Sequence, residues 1–367
     1  VLFALLAAAF IVFQSRHCPV ANRLPGEAQS AMQRHLPLAI LLFLFAYTFC
    51  HVPGLHLFSD TTLTGGDTPA HNYLASHLRD QLFSEGRIVS WAPGWWCGFP
   101  MFQYYFCLPY VLAALLDVIL PFNIALKAVS VLGILLLPVA TWAAARRARL
   151  PAPTPILAAI AMVPFLFDQT HTMWGLNIMS TQAGMISASL SLPLMLLFVA
   201  SLTRDTDDGV FRLRTVFLLA AVIAGHFFTS LLAGLAVLAL PFLWPRAGFR
   251  RSLTVLVTEC GLAFLLMSWW IMPLLLKGEY SVGFGVNWDA SLAPSSPWTW
   301  GLAVLALFGI ASGFLRRCRF ALVMAVLLVA AAFLFGWGYA ISPVFVNVRL
   351  WPFFTLALTL LAAIGAG

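Results

Sequence analysis

Long, uninterrupted runs of apolar residues dominate the chain, and they constrain its fold more than any motif does. Only 9% of its 367 residues are charged, whereas soluble domains carry about 25%. The mean hydropathy of +0.93 is also typical of a protein that lies mostly in lipid. The runs do not alternate with polar residues, which excludes a β-barrel. Helices remain as the way to cross a bilayer, so we predict an all-α polytopic membrane protein with many spans.

Short clusters of arginine separate the apolar runs and predict the orientation of the chain. Because cytoplasmic loops are enriched in Lys and Arg, we assign all five clusters to the cytoplasmic side. This assignment puts 15 of the 20 basic residues inside, so the net charge of +7 reflects topology and not a nucleic-acid-binding face. The clusters are Arg16/Arg23/Arg34, Arg146/Arg147/Arg149, Arg204/Arg212/Arg214, Arg246/Arg250/Arg251 and Arg316/Arg317/Arg319.

With these clusters inside, two apolar runs cannot be ordinary spans. Residues 104–121 are the middle one of three runs between two inside clusters, so we predict that they lie at the outer interface without crossing. Residues 215–244 must enter and return as a half-depth hairpin, with Gly225 and His226 near its tip. The predicted spans are residues 36–52, 124–145, 151–167, 180–202, 253–276, 298–315, 320–336 and 350–367.

Both ends of the sequence are apolar. Residues 1–13 are too short to span a bilayer, and a secretory signal is the weaker interpretation because no basic residue precedes them. We therefore expect a fragment cut at both ends. The expected organisation is a truncated apolar segment and cytoplasmic linker at residues 1–35, followed by one transmembrane domain at residues 36–367, truncated at its C-terminus.

One stretch of the predicted outer loop 53–123, residues 64–100, concentrates polar and charged residues that are scarce elsewhere. Thr68 followed by Pro69 is typical of a helix N-cap and first helical position, and Gly86 of a helix end. Between them, apolar residues recur at four-residue spacing, with His71 off their stripe. This spacing predicts an amphipathic helix that lies on the membrane surface. The stripe consists of Leu74, Leu78 and Leu82.

Asp67 stands immediately before this helix and after Gly65 and Gly66. The two glycines allow a sharp turn and a close approach to another molecule. A helix N-terminus favours the charged form of a carboxylate, and a charged carboxylate at the mouth of a membrane cavity can act as a general base. A purely structural role at the helix start is the alternative, and the residues alone leave both open.

The order of these motifs resembles a known class of membrane enzymes. The loop reads G-G-D-x-x-x-H, then the amphipathic helix, then G-R-x-x-x-W-x-P-x-x-x-x-G-x-P and an aromatic run. This looks like the GT-C class of glycosyltransferases, and more closely like the bacterial and archaeal family labelled 6-pyruvoyl-tetrahydropterin synthase-related, membrane domain, with its YfhO-like relatives. The label does not imply pterin chemistry. The resemblance covers most of the chain, and its anchors are Asp67, His71, Gly86, Trp91, Pro93, Gly98, Pro100, Gly225, His226 and Arg349.

The resemblance implies a GT-C-like helical bundle whose outer first loop carries amphipathic interfacial helices. GT-C enzymes take a sugar from a polyprenyl-phosphate-linked donor, and an acid of the first outer loop is the expected catalytic residue, which corresponds to Asp67. The implied acceptor is a lipid, a polysaccharide or a protein at the outer face. An interfacial helix before the second conserved span is also implied, in line with the non-crossing assignment of residues 104–121.

Three polar residues elsewhere are candidates for binding substrate. Asp168 lies at the outer end of a span, where GT-C relatives often carry an acid, although a polar loop end explains it equally well. His226 at the hairpin tip would bond a phosphate or a sugar hydroxyl, or else a neighbouring helix carbonyl. Arg349 is the one basic residue of the last outer loop, where it can bind a lipid phosphate with two hydrogen bonds or simply extend to the interface.

A divalent metal, Mg²⁺ or Mn²⁺, is a further expectation that no strong motif supports. Asp67 and His71 form an i, i+4 pair that could hold the metal together with Asp168 or His171. Without a metal, His71 is a candidate for binding substrate.

The remaining cysteines and acids predict local structure. Cys97 and Cys107 share the outer loop, where an oxidising compartment would allow a disulfide, although spacing does not establish its geometry. Glu259 is expected to pair with a neighbouring helix. The expected solvated cytoplasmic loop carries Asp205, Asp207 and Asp208.

The sequence favours a membrane glycosyltransferase in the plasma (inner) membrane of a bacterium or archaeon. Asp67 would deprotonate the acceptor, and Arg349 with His226 would hold the departing phosphate. The expected partners are a polyprenyl-phosphate sugar donor, a lipid or polysaccharide acceptor and the bilayer, with no nucleic acid. One alternative is a polytopic transporter or lipid-linked-sugar flippase, which predicts mid-membrane charges and inverted repeats. Glu259 is one such charge, and no repeat is visible. A non-catalytic scaffold is the third interpretation.

Overall fold

The computed structural model describes residues 26–52, 55–168, 175–281, 287–289, 297–342 and 345–367. The expected apolar segment 1–13 lies outside them. Within these residues, thirteen α-helices and one two-stranded sheet form the fold. The helices are α1 (Gly26–His51), α2 (Thr68–Glu85), α3 (Leu108–Leu116), α4 (Phe122–Arg147), α5 (Thr154–Leu166), α6 (Ile178–Gln182), α7 (Ile186–Asp208), α8 (Leu213–Gly225), α9 (Phe227–Ala239), α10 (Phe249–Leu276), α11 (Pro297–Leu315), α12 (Arg319–Ile341) and α13 (Trp351–Ala366). The strands are β1 (Ser90–Ala92) and β2 (Phe99–Met101).

In the part of the chain that the structure describes, five segments are long and apolar enough to cross a membrane, namely α4, α7, α10, α12 and residues Asn347–Ala366, which include α13. The prediction of an all-α polytopic membrane protein is therefore confirmed. α5 covers the predicted span 151–167 but has only 13 residues, or about 20 Å of helix, against roughly 30 Å of hydrocarbon. It packs against α4 and α13, so protein encloses most of this short helix.

α7 is the centre of the bundle. α4, α8, α9 and α10 all pack against it, and most of its side chains are buried. Gly133 of α4 permits a close approach, because a Cβ there would overlap the Ser189 carbonyl of α7. The hydroxyls of Ser191 and Thr229 lie 2.6 Å apart and join α7 to α9. The first turns of α7 are thereby fixed in place, and they form one wall of the candidate site.

The prediction that residues 215–244 form two short helices with Gly225 and His226 at the turn is confirmed. α8 and α9 have 13 residues each and are joined by His226 alone, whose backbone is extended (φ −166°, ψ 141°). The start of α8 and the end of α9 both lie beside the C-terminal end of α7. Arg212 binds Asp208 at 3.0 Å, and Arg319, which also binds this end of α7, donates to the Leu240 carbonyl at 2.8 Å. The tip with His226 is therefore held inside the bundle.

Four of the five arginine clusters meet at one end of the bundle, which we call the basic end. The expectation of a solvated acidic loop there is wrong. Asp205 is fully buried in the last turns of α7, paired with Arg147 at 2.5 Å and with Arg212. A buried carboxylate requires such partners, and Asp207 and Asp208 pair with other arginines of the clusters.

The opposite end is built by α2, the strands and α3. α3 has nine residues, or about 14 Å of helix, so the prediction that residues 104–121 do not cross is confirmed. β1 and β2 pair antiparallel, with Trp91 opposite Pro100. Gly98 has a φ of +129°, and a Cβ there would overlap the Trp91 ring. The Trp- and Pro-rich segment is thus a small β-hairpin, which the sequence interpretation lacked.

Two details of α2 differ from the expectations. The N-cap residue is Asp67 and not Thr68, because the Thr68 hydroxyl donates to the Gly65 carbonyl at 2.6 Å. His71 belongs to the buried face of the helix and not to its polar side, because that face packs on α3. The helix end at Gly86, with its left-handed backbone, is confirmed.

The disulfide considered for the outer loop is not formed, since Cys97 and Cys107 are both free thiols. Cys97 is exposed in the turn between the strands, whereas Cys107 precedes α3 and is buried. Burial raises the pKa of the Cys107 thiol to about 11. It therefore behaves as a small apolar side chain in the packing around α3.

Candidate functional site

The turn before α2 is fixed by its backbone. Gly65 and Gly66 have φ values of +102° and +52°, and the Asp67 amide donates to the Ala183 carbonyl at 2.8 Å. A Cβ on Gly66 would overlap that same carbonyl. Gly184 has a φ of +118°, and a Cβ there would lie 2.8 Å from the Cβ of Asp67. The two glycines therefore allow a close approach between the turn before α2 and the connection from α6 to α7 in the same chain.

The side chain of Asp67 is not used to hold this turn. It is exposed and, although Asp67 is the N-cap residue, its carboxylate accepts no capping hydrogen bond. Within the described residues it takes part in no hydrogen bond or ion pair. The site therefore presents a carboxylate that a ligand can reach.

His71 lies one turn into α2 with both ring nitrogens engaged. Nδ1 is 2.6 Å from the Tyr110 hydroxyl, and the Gly184 carbonyl accepts from the other side of the ring. Burial lowers the pKa of His71, and the Gly184 bond and the Asp67 charge only partly oppose this. The neutral ring therefore donates from Nε2 to Gly184 and accepts at Nδ1 from Tyr110. His71 joins α2 to the start of α7.

Tyr105 and Tyr110 line the site next to His71. The Tyr105 hydroxyl lies beside those of Tyr110 and Ser187. Burial raises the pKa of both phenols, so both stay protonated at neutral pH and can donate hydrogen bonds. Ser187 is buried, and its Oγ makes no hydrogen bond of normal geometry within the described residues.

Arg349 enters the site from the short helical turn before α13. That turn is anchored by Asn347, which accepts from the Trp288 amide at 3.0 Å and donates to the Trp288 carbonyl at 2.7 Å. The half-buried Arg349 guanidinium donates to the Met185 sulfur at 2.7 Å. Within the described residues it has no carboxylate partner. A thioether is a weak acceptor, so the cation retains most of its capacity to bind an anion.

His226 approaches from the hairpin tip. Its ring packs against Phe106 and Phe228, with centroids 5.4 and 5.9 Å away. Its Nδ1 is buried and has no hydrogen-bond partner within the described residues. An unsatisfied polar atom in a buried position is costly, and a bound substrate would supply the missing partner. The alternative interpretation was that a helix carbonyl satisfies this nitrogen. Within the described residues no carbonyl does so.

The charges of these side chains act on one another across the site. Tyr105 lies within the field of both Asp67 and Arg349, and the charge of Asp67 also reaches His71. The Arg349 charge reaches His226. Four of the five predicted site residues thus come together from α2, from the hairpin tip and from the turn before α13.

The fifth, Asp168, lies at the end of α5, where its carbonyl accepts from the Asn177 side chain at 2.7 Å. It is not among the charged groups that act on Tyr105 or Arg349. His171 lies outside the described residues. In the part of the chain that the structure describes, no three His, Cys, Asp or Glu side chains stand close enough to hold a metal. The expected metal set of Asp67, His71 and Asp168 is therefore not assembled there.

The site contains three residues that the sequence interpretation missed. The sequence features that mark them are weak. Tyr105 and Tyr110 belong to the aromatic and apolar run that was interpreted only as an interfacial segment. Ser187 is the first of several alternating serines at the start of a predicted span. Hydroxyls inside apolar runs are the feature that could have identified them, since polar groups at membrane depth are often functional.

A family model matches most of the chain. It is described as the 6-pyruvoyl-tetrahydropterin synthase related domain of a membrane protein, and it matches residues 102–367. The matched region includes Tyr105, His226 and Arg349, whereas Asp67 and His71 precede it. A search of curated proteins finds no match. Since the family model covers well over half of its length, the chain belongs to the 6-pyruvoyl-tetrahydropterin synthase related family of membrane proteins.

Proposed function

We propose that the chain is a membrane glycosyltransferase that moves a sugar from a polyprenyl-phosphate-linked donor to a hydroxyl of a lipid, polysaccharide or protein. One observation carries this proposal. Asp67 has no hydrogen-bond partner for its carboxylate among the described residues, and Arg349, in the same site, has no carboxylate partner among them. Two opposite charges left for a ligand suit a reaction in which one takes a proton and the other receives a phosphate.

In the proposed reaction, the acceptor hydroxyl gives its proton to the Asp67 carboxylate while its oxygen attacks the anomeric carbon of the sugar. The bond between that carbon and the donor phosphate oxygen breaks, and its electron pair leaves with the polyprenyl phosphate. Arg349 neutralises the added charge with two N–H donors. The free Nδ1 of His226 and the Oγ of Ser187 would bond the sugar or the phosphate.

The sequence predicts that His71 binds substrate, whereas this proposal gives it a different role. Both of its nitrogens have partners in the protein, so we assign it the positioning of Asp67 and not the binding of substrate. Its bond to the Gly184 carbonyl holds the start of α7 against the Asp67 turn. Precise placement of a reacting group contributes strongly to rate, so this support belongs to the mechanism.

The proposal includes an orientation and a location. With the basic end at the cytoplasmic face, as the positive-inside rule favours, Asp67 and Arg349 lie toward the outer face of the plasma membrane of a bacterium or archaeon. A transporter or flippase, the alternative, has less support. Glu259, the acid interpreted as a mid-membrane charge, accepts from the Arg212 amide at 2.7 Å, so packing near the basic end explains its presence.

The test is the variant Asp67→Asn, assayed in membranes with radiolabelled polyprenyl-phosphate sugar. Removing a general base lowers the rate by about 10²–10⁴-fold. Asp80→Asn is the matched control, because Asp80 is an exposed acid of the same helix that pairs, among the described residues, with Arg79. Unchanged transfer by Asp67→Asn at normal expression would contradict the assignment of the base.

A further inference from the structure

The basic end of the bundle contains a cavity that the proposed reaction does not use. It has a volume of about 200 Å³ and opens between the ends of α4, α7, α11 and α12. One acid, Asp207, lies in its wall. The arginines in the wall are Arg147, Arg149, Arg204, Arg246, Arg316 and Arg319.

The charge of this wall is not balanced by the protein. Asp205, Asp207 and Asp208 pair with four of the arginines, and six positive against three negative charges leave an excess of three. Arg246 and Arg316 have no acidic partner within the described residues. The cavity therefore carries a positive field that an anion would neutralise.

The floor of the cavity also has unused donors. Arg319 is 2% exposed, and its Nε has no hydrogen-bond partner in the described part of the chain. The Nε of Arg147 is buried and unpartnered in the same way. Each arginine gives other N–H groups to an aspartate, which holds the guanidinium while its Nε keeps no acceptor. Bound phosphate oxygens would accept from such donors.

Two exposed aromatic side chains lie close in sequence to the cavity wall. Trp244 and Phe314 meet edge to face with ring centroids 5.5 Å apart, and both are exposed. Each lies two residues before a free arginine of the wall, Arg246 or Arg316. Tryptophan beside arginine is typical of the level of the lipid headgroups. A phosphate in this cavity would therefore carry an acyl chain that continues along the membrane face.

We propose that this cavity binds the phosphate of an anionic phospholipid, at the end of the bundle opposite Asp67. The ligand chemistry is a phosphate ester, held by the free guanidinium groups of Arg246 and Arg316 above the buried donors of Arg147 and Arg319. This site is independent of the proposed transfer reaction, because none of its residues lies in the Asp67 site.

The test uses the full chain in phosphatidylcholine nanodiscs, with phosphatidylglycerol added and binding followed by native mass spectrometry. We expect phosphatidylglycerol to be retained in preference to phosphatidylcholine. The double variant Arg246→Gln/Arg316→Gln should weaken this binding roughly 10- to 30-fold, since each basic group near a membrane surface contributes about a factor of five. The melting temperature without added lipid should stay unchanged, because neither arginine has an acidic partner within the described residues.

The matched control is Arg250→Gln/Arg317→Gln, which removes the same charge from the same end without touching the cavity wall. This control should bind like the wild type. An equal loss in both double variants would overturn the proposal, because surface charge alone would then explain the binding. No preference for phosphatidylglycerol would overturn it too. If glycerol 3-phosphate or inorganic phosphate raises the melting temperature as much as the lipid does, the proposal that the bound phosphate belongs to a phospholipid is wrong.

Discussion

Asp67 and Arg349 carry opposite charges in one site, yet they form no ion pair within 4.0 Å. Asp67 is placed by the backbone bond to Ala183 and Arg349 by the anchored turn that precedes α13. Because neither side chain holds the other, both remain available to a ligand. An ion pair between them would have to break before substrate bound, at a cost of up to about 1 kcal/mol for an exposed carboxylate.

Arg349 should therefore affect the donor more than the fold. We expect Arg349→Gln to lower kcat/KM for the lipid-linked donor by about 10²–10³-fold, because it removes charge stabilisation of the leaving phosphate. Arg349→Lys should recover part of the activity, since lysine keeps the charge without the two-pronged geometry. Lys277→Gln, an exposed cation near the same end, is the control. Steady-state kinetics check this, and equal activity of Arg349→Gln and the control would contradict it.

His71 should make stability depend on pH in a defined direction. Its folded-state pKa lies below the ordinary value of 6.5, so the unfolded chain takes up the proton first as pH falls. The stabilisation by neutral His71 is therefore complete above that value and is lost as pH falls below it. We expect His71→Gln to be less stable than wild type by about 1–3 kcal/mol at pH 7.5, with a smaller difference at pH 5.5.

Thermal unfolding of both proteins at the two pH values measures this difference. His56→Gln, a change at an exposed histidine, should show no such trend. A difference between wild type and His71→Gln that grows as pH falls would mean that His71 is charged in the folded protein.

At the level of the helices, glycines at close crossings determine how the helices that support the site pack. α11 crosses α13 so closely that a Cβ on Gly309 would overlap the Leu361 carbonyl, and a Cβ on Gly365 would overlap that of Leu305. Small residues at such crossings allow helices to pack without hydrophobic driving force in lipid. α13 follows directly after Arg349, so this crossing also supports the site.

Gly309→Leu should consequently destabilise the protein. Overpacking at a tight contact costs about 1–3 kcal/mol, and we expect a lower melting temperature together with reduced sugar transfer. Gly301→Leu is the matched control on the same helix, because nothing lies within 4 Å of a Cβ there. The comparison of the two melting curves is decisive. Equal effects of the two variants would mean that the crossing at Gly309 does not explain any loss of stability.

The sequence predicted those elements whose cause is local or periodic. The charge pattern identified the short α3 segment and the α8–α9 hairpin, and Gly86 marked the end of α2. It failed where the cause is tertiary. Asp205 was expected in solvent, but it is fully buried and pairs with Arg147, which is 58 residues away in sequence. His71 was expected on a polar face because nothing local indicates that α3 covers it.

On the scale of the whole molecule, the chain separates two charged regions along the bundle axis. The basic end holds the arginine clusters, and the other end holds Asp67, His71 and Arg349. The positive-inside argument predicts that the basic end faces the cytoplasm and that the Asp67 end faces the outside. The family match, residues 102–367, covers the basic end fully but omits Asp67 and His71.

Reporter fusions test this orientation. α4 runs from Phe122 to Arg147 as one spanning helix, so fusions after residues 122 and 149 should report opposite sides. We expect the first outside and the second in the cytoplasm. If both report the cytoplasm, residues 104–121 cross the membrane and the assignment of the Asp67 end to the outer face is wrong.

The central claim is that the site makes a glycosidic bond. The most direct measurement is a single turnover by the purified chain in sealed liposomes, with doubly labelled polyprenyl-phosphate sugar and an extract of acceptor lipids. We expect release of polyprenyl phosphate in equal amount to glycosylated acceptor, with both lost in Asp67→Asn and kept in Asp80→Asn. Movement of intact donor across the bilayer without release of polyprenyl phosphate would contradict it and identify a flippase.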